Sequence, residues 1–277
     1  MRNQKVWFIT GASQGMGLEV ARAVLANGDK VVATSRSMEE LVRNLGQANE
    51  HYLPLLLNIT NEQQAKQTVA ESINTFGTID VVLNNAGYYL VGSLEEISDG
   101  ELRRSMDVNL FGTANVIRSV LPYLRDKKRG YIINIASYLG YVGFANTGAY
   151  NAGKFAMIGL SEALAQEVKP FGIDVTVVAP GMFRTNFLSG STLAVTKHKI
   201  DDYNVSKHEK MLSSFDGHQP GDPKKLAQVL LKLADLSEPP LHIALGTDSY
   251  NAIVDHRQKQ TQEMEQWKHL TLSTDFA

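Results

Sequence analysis

In the stretch GAYNAGKFAM, residues 148–157, Tyr150 and Lys154 stand four positions apart among small and apolar neighbours. Residues four apart share one face of a helix, so the ammonium can lie near the phenol and favour its ionised form. A phenol near pKa 10 is a poor acid or base at neutral pH, and a neighbouring cation brings reversible proton transfer within reach. Spacing alone does not single out this pair, because Tyr123/Lys127 and Tyr203/Lys207 repeat it. Context separates the three. Tyr123/Lys127 runs into the charged RDKKRG of residues 125–130 and reads as a surface pair. Tyr203/Lys207 falls in a long segment with no strand end nearby, a poor platform for a proton donor. Tyr150/Lys154 opens a helical stretch just past a strand-like run that ends at Ser137.

A second stretch with chemical promise is TGASQGMG, residues 10–17. Glycines at 11, 15 and 17 permit a tight turn, close approach of backbone to a phosphate, and close packing of a helix on a sheet. The stretch follows one apolar run and opens a helix, the setting in which its free amides can hold a pyrophosphate.

Such residues need a frame, and the rest of the chain supplies one. Short apolar runs at 5–10, 30–35, 51–57, 79–84, 130–137, 173–180 and 241–245 alternate with helical-period segments. Runs apolar on both faces are what a parallel sheet covered by helices requires. The pattern predicts an α/β fold, a Rossmann-type doubly wound parallel sheet of about seven strands with helices on both faces. All 277 residues are assigned to one domain. Residues 182 to about 221 exceed an ordinary connection and are expected to form a substrate lid. Residues 247–277 are a polar, helix-favouring tail.

Composition narrows the partners. With 27 basic and 29 acidic residues there is no electrostatic footprint for nucleic acid or an anionic membrane. No cysteine is present, which excludes disulfides, a thiolate nucleophile and a thiolate metal site. The N-terminal apolar run stops at Gly11, and no later run is long enough to span a membrane. The expectation is a cytoplasmic protein with a small-molecule partner and no metal.

The Gly-x-x-x-Gly-x-Gly spacing does not stand alone. NNAG (84–87), VNLFG (108–112), Ser137, YNAGK (150–154) and PGMFRT (180–185) follow in order. Together they resemble the single-domain branch of the short-chain dehydrogenase/reductase superfamily from residue 5 to about 245. The resemblance implies that Tyr150 exchanges a proton with the substrate oxygen and that Lys154 lowers its pKa and holds the nicotinamide ribose. It further implies that Ser137 hydrogen-bonds the substrate oxygen and that Asn109 holds a water relaying protons to Lys154. A nicotinamide dinucleotide would lie on Gly11, Ser13, Gln14, Gly15, Met16 and Gly17, then on Asn58, Ile59, Asn85, Ala86 and Gly87. Tyr150, Lys154, Pro180, Gly181 and Thr185 would complete its site. Family members pair the helices beginning near Asn109 and Tyr150 with their copies, so a homodimer or homotetramer is expected.

The second strand ends in Ser35 followed by Arg36, where an NAD site would place a carboxylate on the ribose hydroxyls. An uncharged residue beside a guanidinium suits a 2′-phosphate, and NADP is the expected cofactor. Aromatic and aliphatic residues dominate 88–92, 138–145 and 182–190. Ser137, Tyr89, Phe144, Phe183 and Phe187 are therefore expected around a bulky, largely apolar ketone or alcohol. Lys197, His198, Lys199, Lys207, His208 and Lys210 make the lid locally basic. That is the mark of a solvated face or, in the alternative, of a 3-oxoacyl-thioester reductase. A non-catalytic NADP-sensing or scaffold protein is the alternative from another class.

Overall fold

The computed structural model describes residues 4–276. Its strands are β1 (Val6–Thr10), β2 (Lys30–Ser35), β3 (Tyr52–Leu56), β4 (Val81–Asn84), β5 (Tyr89–Val91), β6 (Gly130–Ile135), β7 (Ile173–Pro180), β8 (Leu193–Val195) and β9 (His242–Leu245). The α-helices are α1 (Gly15–Ala26), α2 (Met38–Leu45), α3 (Glu62–Phe76), α4 (Asp99–Met106), α5 (Gly112–Lys127), α6 (Gly148–Val168), α7 (Val205–Ser214), α8 (Pro223–Leu233) and α9 (Thr247–Leu272). Seven strands form a sheet in the order β3-β2-β1-β4-β6-β7-β9, parallel at every pairing. Each of the seven apolar runs expected as strands lies in it.

Successive residues of β1 show why the sheet has two covered faces. Trp7 and Ile9 point into a core closed by Val20 and Val24 of α1 and Leu226 and Leu230 of α8. Val6 and Phe8 point into the opposite core, closed by Val69 of α3, Val116 and Val120 of α5, and Leu164 of α6. Strand order reverses between β1 and β4, and the carboxyl ends of these two strands flank the crevice such a reversal creates. Among the described residues, no helix is long and apolar enough to cross a membrane.

Helix boundaries differ from the sequence expectation at one informative place. The long helix does not begin near Asn109. Ser98 and Glu101 form a reciprocal capping box that starts α4, and the chain passes through a π-helical turn, Asp107–Phe111, into α5. Asn109 thus sits mid-helix on a widened turn, the kind of local distortion that re-aims a side chain.

Residues 182–221 are folded onto the body and contain β8, α7 and several 3₁₀ turns. β8 pairs in parallel with β5, a second sheet that the apolar pattern did not reveal. Glu96, buried at 2 % exposure, reinforces the join. Its carboxylate accepts from the Ile200 amide at 2.7 Å and from the Ser93 amide at 3.0 Å. Its carbonyl accepts from the Thr196 hydroxyl at 2.8 Å. Burial alone would raise the Glu96 pKa, but these hydrogen bonds outweigh it and hold the carboxyl below its usual value.

Glu96→Ala strands two amides, and an unmet buried donor costs about 1–3 kcal/mol. Hydrogen exchange is expected to accelerate at Ile200 and Thr196 while the amides of β1 and β4 stay protected. Unchanged exchange at Ile200 would refute the clamp.

Candidate active site

A cavity of about 1170 Å³ runs along the carboxyl ends of the central strands, from Arg36 and Asn58 at one end past Tyr150 to Phe187. Its floor is the glycine-rich turn. Gly11 and Gly15 have φ of +65° and +58°, backbone that side chains disfavour. A Cβ on Gly15 would point at Thr185 across the cavity, at 3.6 Å. No side chain caps the α1 N-terminus at Gln14, so its first amides remain available to an anion. Gly17 instead packs the helix, since a Cβ there would meet the Gly11 carbonyl at 2.4 Å. Asn85 braces the same turn, its Nδ2 donating to the Thr10 and Gly11 carbonyls at 3.0 Å.

Most of the dinucleotide residues expected from the motifs line this one cavity: Gly11, Ser13, Gln14, Gly15 and Met16; Ser35 and Arg36; Asn58 and Ile59; Asn85, Ala86 and Gly87; and Pro180, Gly181 and Thr185. Tyr150, Lys154 and Ser137 line it as well. The volume, the glycine cradle and the uncapped helix end all fit a nicotinamide dinucleotide.

Around Tyr150 the packing is tight. Its ring meets Tyr89 edge-on with centroids 4.7 Å apart, and Phe187 lies at 6.3 Å. Burial pushes the phenol pKa up, partly opposed by the nearby Ser137 hydroxyl. Lys154 donates to the Ile135 carbonyl at 2.8 Å, and its Nζ lies 5.7 Å from the centre of the Tyr150 ring. Burial lowers the ammonium pKa to about 7. The expected lowering of the phenol by its lysine is therefore overruled in this structure, because desolvation penalises the charged form of both groups.

Asn109 is fully buried and faces Tyr88. Its Nδ2 donates to the Tyr88 carbonyl at 3.0 Å and its Oδ1 accepts the Tyr88 amide at 3.2 Å. A Cβ on Gly87 would meet Asn109 Oδ1 at 2.8 Å and Lys154 Nζ at 3.7 Å, so Gly87 keeps open the space between them.

The structure separates the remaining substrate candidates. Tyr89 and Phe187 stand against Tyr150, and of the four aromatic candidates Phe187 lines the cavity while Tyr89, Phe144 and Phe183 do not. Phe144 is 50 % exposed and packs on Tyr138. Phe183 is drawn into the core beneath α1 and α8, where it lies against Gly221. The other two tyrosine–lysine pairs are structural. The Tyr123 hydroxyl donates to the Gly77 carbonyl and Lys127 pairs with Asp80 at 2.6 Å, a part-buried brace rather than the expected surface pair. The Tyr203 hydroxyl donates to Glu95 at 2.6 Å, and Asn146 donates to its carbonyl at 3.0 Å.

Two residues escaped the sequence reading. Asp248, at the start of α9, accepts from the Met182 amide at 2.7 Å and fixes the Pro180–Gly181 turn. Glu40 accepts from the Ser13 hydroxyl at 2.9 Å, and Ser13 accepts from Ser35 at 3.0 Å. The end of β2 is thus not free of carboxylate: Glu40 stands behind its two hydroxyls. The only local sign was the Ser37-x-x-Glu40 spacing, which reads as a helix start and is one, since Ser37 caps the Glu40 amide.

With geometry in place, comparison gives the family. Residues 5–194 match the short chain dehydrogenase family, and the chain belongs to it. A crystal structure of a short-chain dehydrogenase from Streptomyces avermitilis superposes with a TM-score of 0.90 at 34 % identity, covering 98 % of this chain and 100 % of that one. A 3-ketodihydrosphingosine reductase from Bacteroides thetaiotaomicron is 36 % identical over 87 % of this chain and 88 % of its own length. ElxO with NADP bound matches at a TM-score of 0.74 and 28 % identity, over 89 % of this chain and 98 % of that one. The protein is an oxidoreductase of this family.

The buried lysine makes a prediction about stability. Lys154 has a folded pKa of about 7 against an ordinary 10.5, so between those values the unfolded chain binds more protons and stability rises with pH. Lys154→Met is expected to melt higher than wild type below about pH 7, and the gap should narrow as pH climbs toward 10.5. A gap independent of pH would show that Lys154 is not desolvated.

Proposed function

We propose that the chain is an NADP(H)-dependent oxidoreductase that interconverts a bulky, largely apolar ketone or aldehyde and its alcohol, with Tyr150 as general acid and base. The observation that carries this reading is the buried cluster that lines the cavity: Tyr150 and Ser137 side by side, and the Lys154 ammonium 5.7 Å from the centre of the phenol ring. The nicotinamide supplies or accepts the hydride when bound. All else falls to side chains. Burial keeps the Tyr150 phenol protonated, the state needed to donate to a carbonyl oxygen during reduction. Ser137 orients that oxygen. Lys154, poised near neutrality, holds the ribose and steadies the phenolate once the proton has left, and Asn109 holds the Gly87–Tyr88 backbone in place on its far side.

Several features support the finer parts of the reading. Arg36 stands exposed on the cavity beside the Ser35 and Ser13 hydroxyls, as a 2′-phosphate requires. ElxO, which resembles this chain, binds NADP. The related 3-ketodihydrosphingosine reductase is named for a ketone, and Tyr89, Leu139, Phe187 and Leu193 form an apolar cluster around Tyr150. The segment 182–221 would serve as the substrate lid. Phe111 and Phe155, on the helices that pair in other family members, are exposed and are in keeping with a homo-oligomer.

Tyr150→Phe is expected to lower kcat by about a hundredfold or more while NADPH still binds, because only the proton donor is removed. Tyr123→Phe and Tyr203→Phe should leave the chemical step nearly intact. Steady-state turnover on a ketone panel, with NADPH binding followed by fluorescence, tests all three. Activity within a few fold of wild type in Tyr150→Phe would sink the assignment.

Cofactor choice rests on two opposed charges. Arg36→Ala should weaken NADPH by about tenfold to a hundredfold and leave NADH nearly unchanged, since a charge-assisted hydrogen bond contributes about 1.5–3 kcal/mol. Glu40→Gln should act in the other direction and tighten NADPH about threefold or more. Dissociation constants for both cofactors decide the matter, and equal losses for both in Arg36→Ala would make that arginine an ordinary surface residue.

A further inference from the structure

The cavity lining continues beyond Tyr150 and Phe187. It passes Leu90, Ala194 and Val195, then ends at Arg104 of α4 and at Lys197 and His198 just past β8. This outer rim is fixed rather than loose. The β5–β8 pairing sets Leu90 beside Ala194, the Thr196 amide donates to the Val91 carbonyl at 2.9 Å, and the Glu96 clamp holds Ile200.

The rim also carries Glu96 and Glu101, so its formal charge is nearly balanced. Its hydrogen-bonding capacity is not. Glu96 is occupied by the Ser93 and Ile200 amides. Glu101 accepts from the Ser98 amide and hydroxyl at 2.9 and 2.6 Å and from the Lys197 amide at 3.4 Å. Arg104 and Lys197, by contrast, form no ion pair or side-chain hydrogen bond among the described residues, although the Lys197 charge is felt by Glu101 and the Arg104 charge by Tyr88. Their donors are open at the end of an apolar passage that starts at the catalytic tyrosine.

We infer that this rim binds an anionic tail on the substrate, which makes the substrate an amphipathic carbonyl compound. Its carbonyl sits at Tyr150, its apolar body lies along Phe187, Leu90, Ala194 and Val195, and its carboxylate or phosphate-bearing end meets Arg104 and Lys197. The inference rests on the reductase reading for the position of the carbonyl. The lid's cationic character at Lys197 and His198 then belongs to the site and is not merely a solvated face.

Two measurements on the full-length protein test it. The first does not need turnover: calorimetric binding of saturated alkanoates, of the matching alcohols, and of the matching coenzyme A thioesters, each with NADP⁺ present. An anionic probe should bind about fivefold to tenfold tighter than the alcohol at low ionic strength, with the preference shrinking in high salt. Arg104→Gln/Lys197→Gln should erase it. A preference for the alkanoate assigns the anion as a carboxylate, and one for the thioester assigns it as a phosphate. Equal binding of all three probes, or a preference that survives in the double variant, overturns the inference.

The second compares ω-keto acids of increasing length with their methyl esters as NADPH oxidants. The double variant should raise KM for the acids about fivefold to tenfold with kcat little changed, while the esters are nearly unaffected. Equal losses on acid and ester would mean the cations only maintain the fold of the rim. If no ketone is reduced, the reductase reading fails, and the calorimetric arm still decides whether the rim binds anions.

Discussion

A lysine ammonium buried at the carboxyl end of a parallel sheet is costly, and much of the architecture around it makes that position tenable. Lys154 is 3 % exposed and donates to the Ile135 carbonyl at the end of β6. That bond requires α6 to lie tightly along the strand. Small residues permit the approach: a Cβ on Gly140 would meet the Lys154 carbonyl at 2.9 Å and Ile158 at 2.6 Å. On the other side of the helix, a Cβ on Gly153 would come within 3.1 Å of Asn109. The chain gives up side-chain volume at these points so that one charge can be held where water is scarce.

A buried polar ladder fixes the same helix laterally. Asn84 on β4 donates to Asn134 on β6 at 2.8 Å, and Asn134 donates to Ser161 on α6 at 2.8 Å. Ser161 closes the chain on the Met157 carbonyl. Unpaired, such groups would be expensive in a core; linked, they specify one register of helix on sheet. Two strands and the helix bearing Tyr150 are thereby locked as a unit, which holds the phenol on the cavity beside Ser137 without relying on a loop. The β5–β8 pairing and the Glu96 clamp then add a wall to that rigid centre.

The sequence expresses these features unevenly, and the reason is range. The seven sheet strands are read correctly because a strand covered on both faces must be apolar at consecutive positions, a signal contained within the strand itself. The glycine-rich turn into α1 is legible because its glycines answer a local backbone demand. Phe144 and Phe183 are misread because an aromatic side chain near a site has no local mark for core or cavity, and the Phe183 ring finds the space beneath α1. Glu40 is missed for the opposite reason. Its helix-start role is written locally, whereas its contact with Ser13 depends on how α2 returns beside the glycine-rich turn. The three-residue strands β5 and β8 lie too far apart in sequence, and are too short, for periodicity to reveal their pairing.

The three tyrosine–lysine pairs show how little a spacing means until burial is known. At Tyr123/Lys127, the ammonium meets Asp80 and the pair braces α5 against the start of β4. At Tyr203/Lys207, the phenol meets Glu95 at the surface and ties the 182–221 segment down. Only at Tyr150/Lys154 does neither side chain meet a carboxylate, and there desolvation drives the two pKa values toward neutral forms. No carboxylate stands against Lys154 as Asp80 stands against Lys127. Its absence leaves burial in control of both groups, which raises the phenol and lowers the ammonium. The electrostatic character of each pair therefore follows from what surrounds the four-residue spacing rather than from the spacing itself.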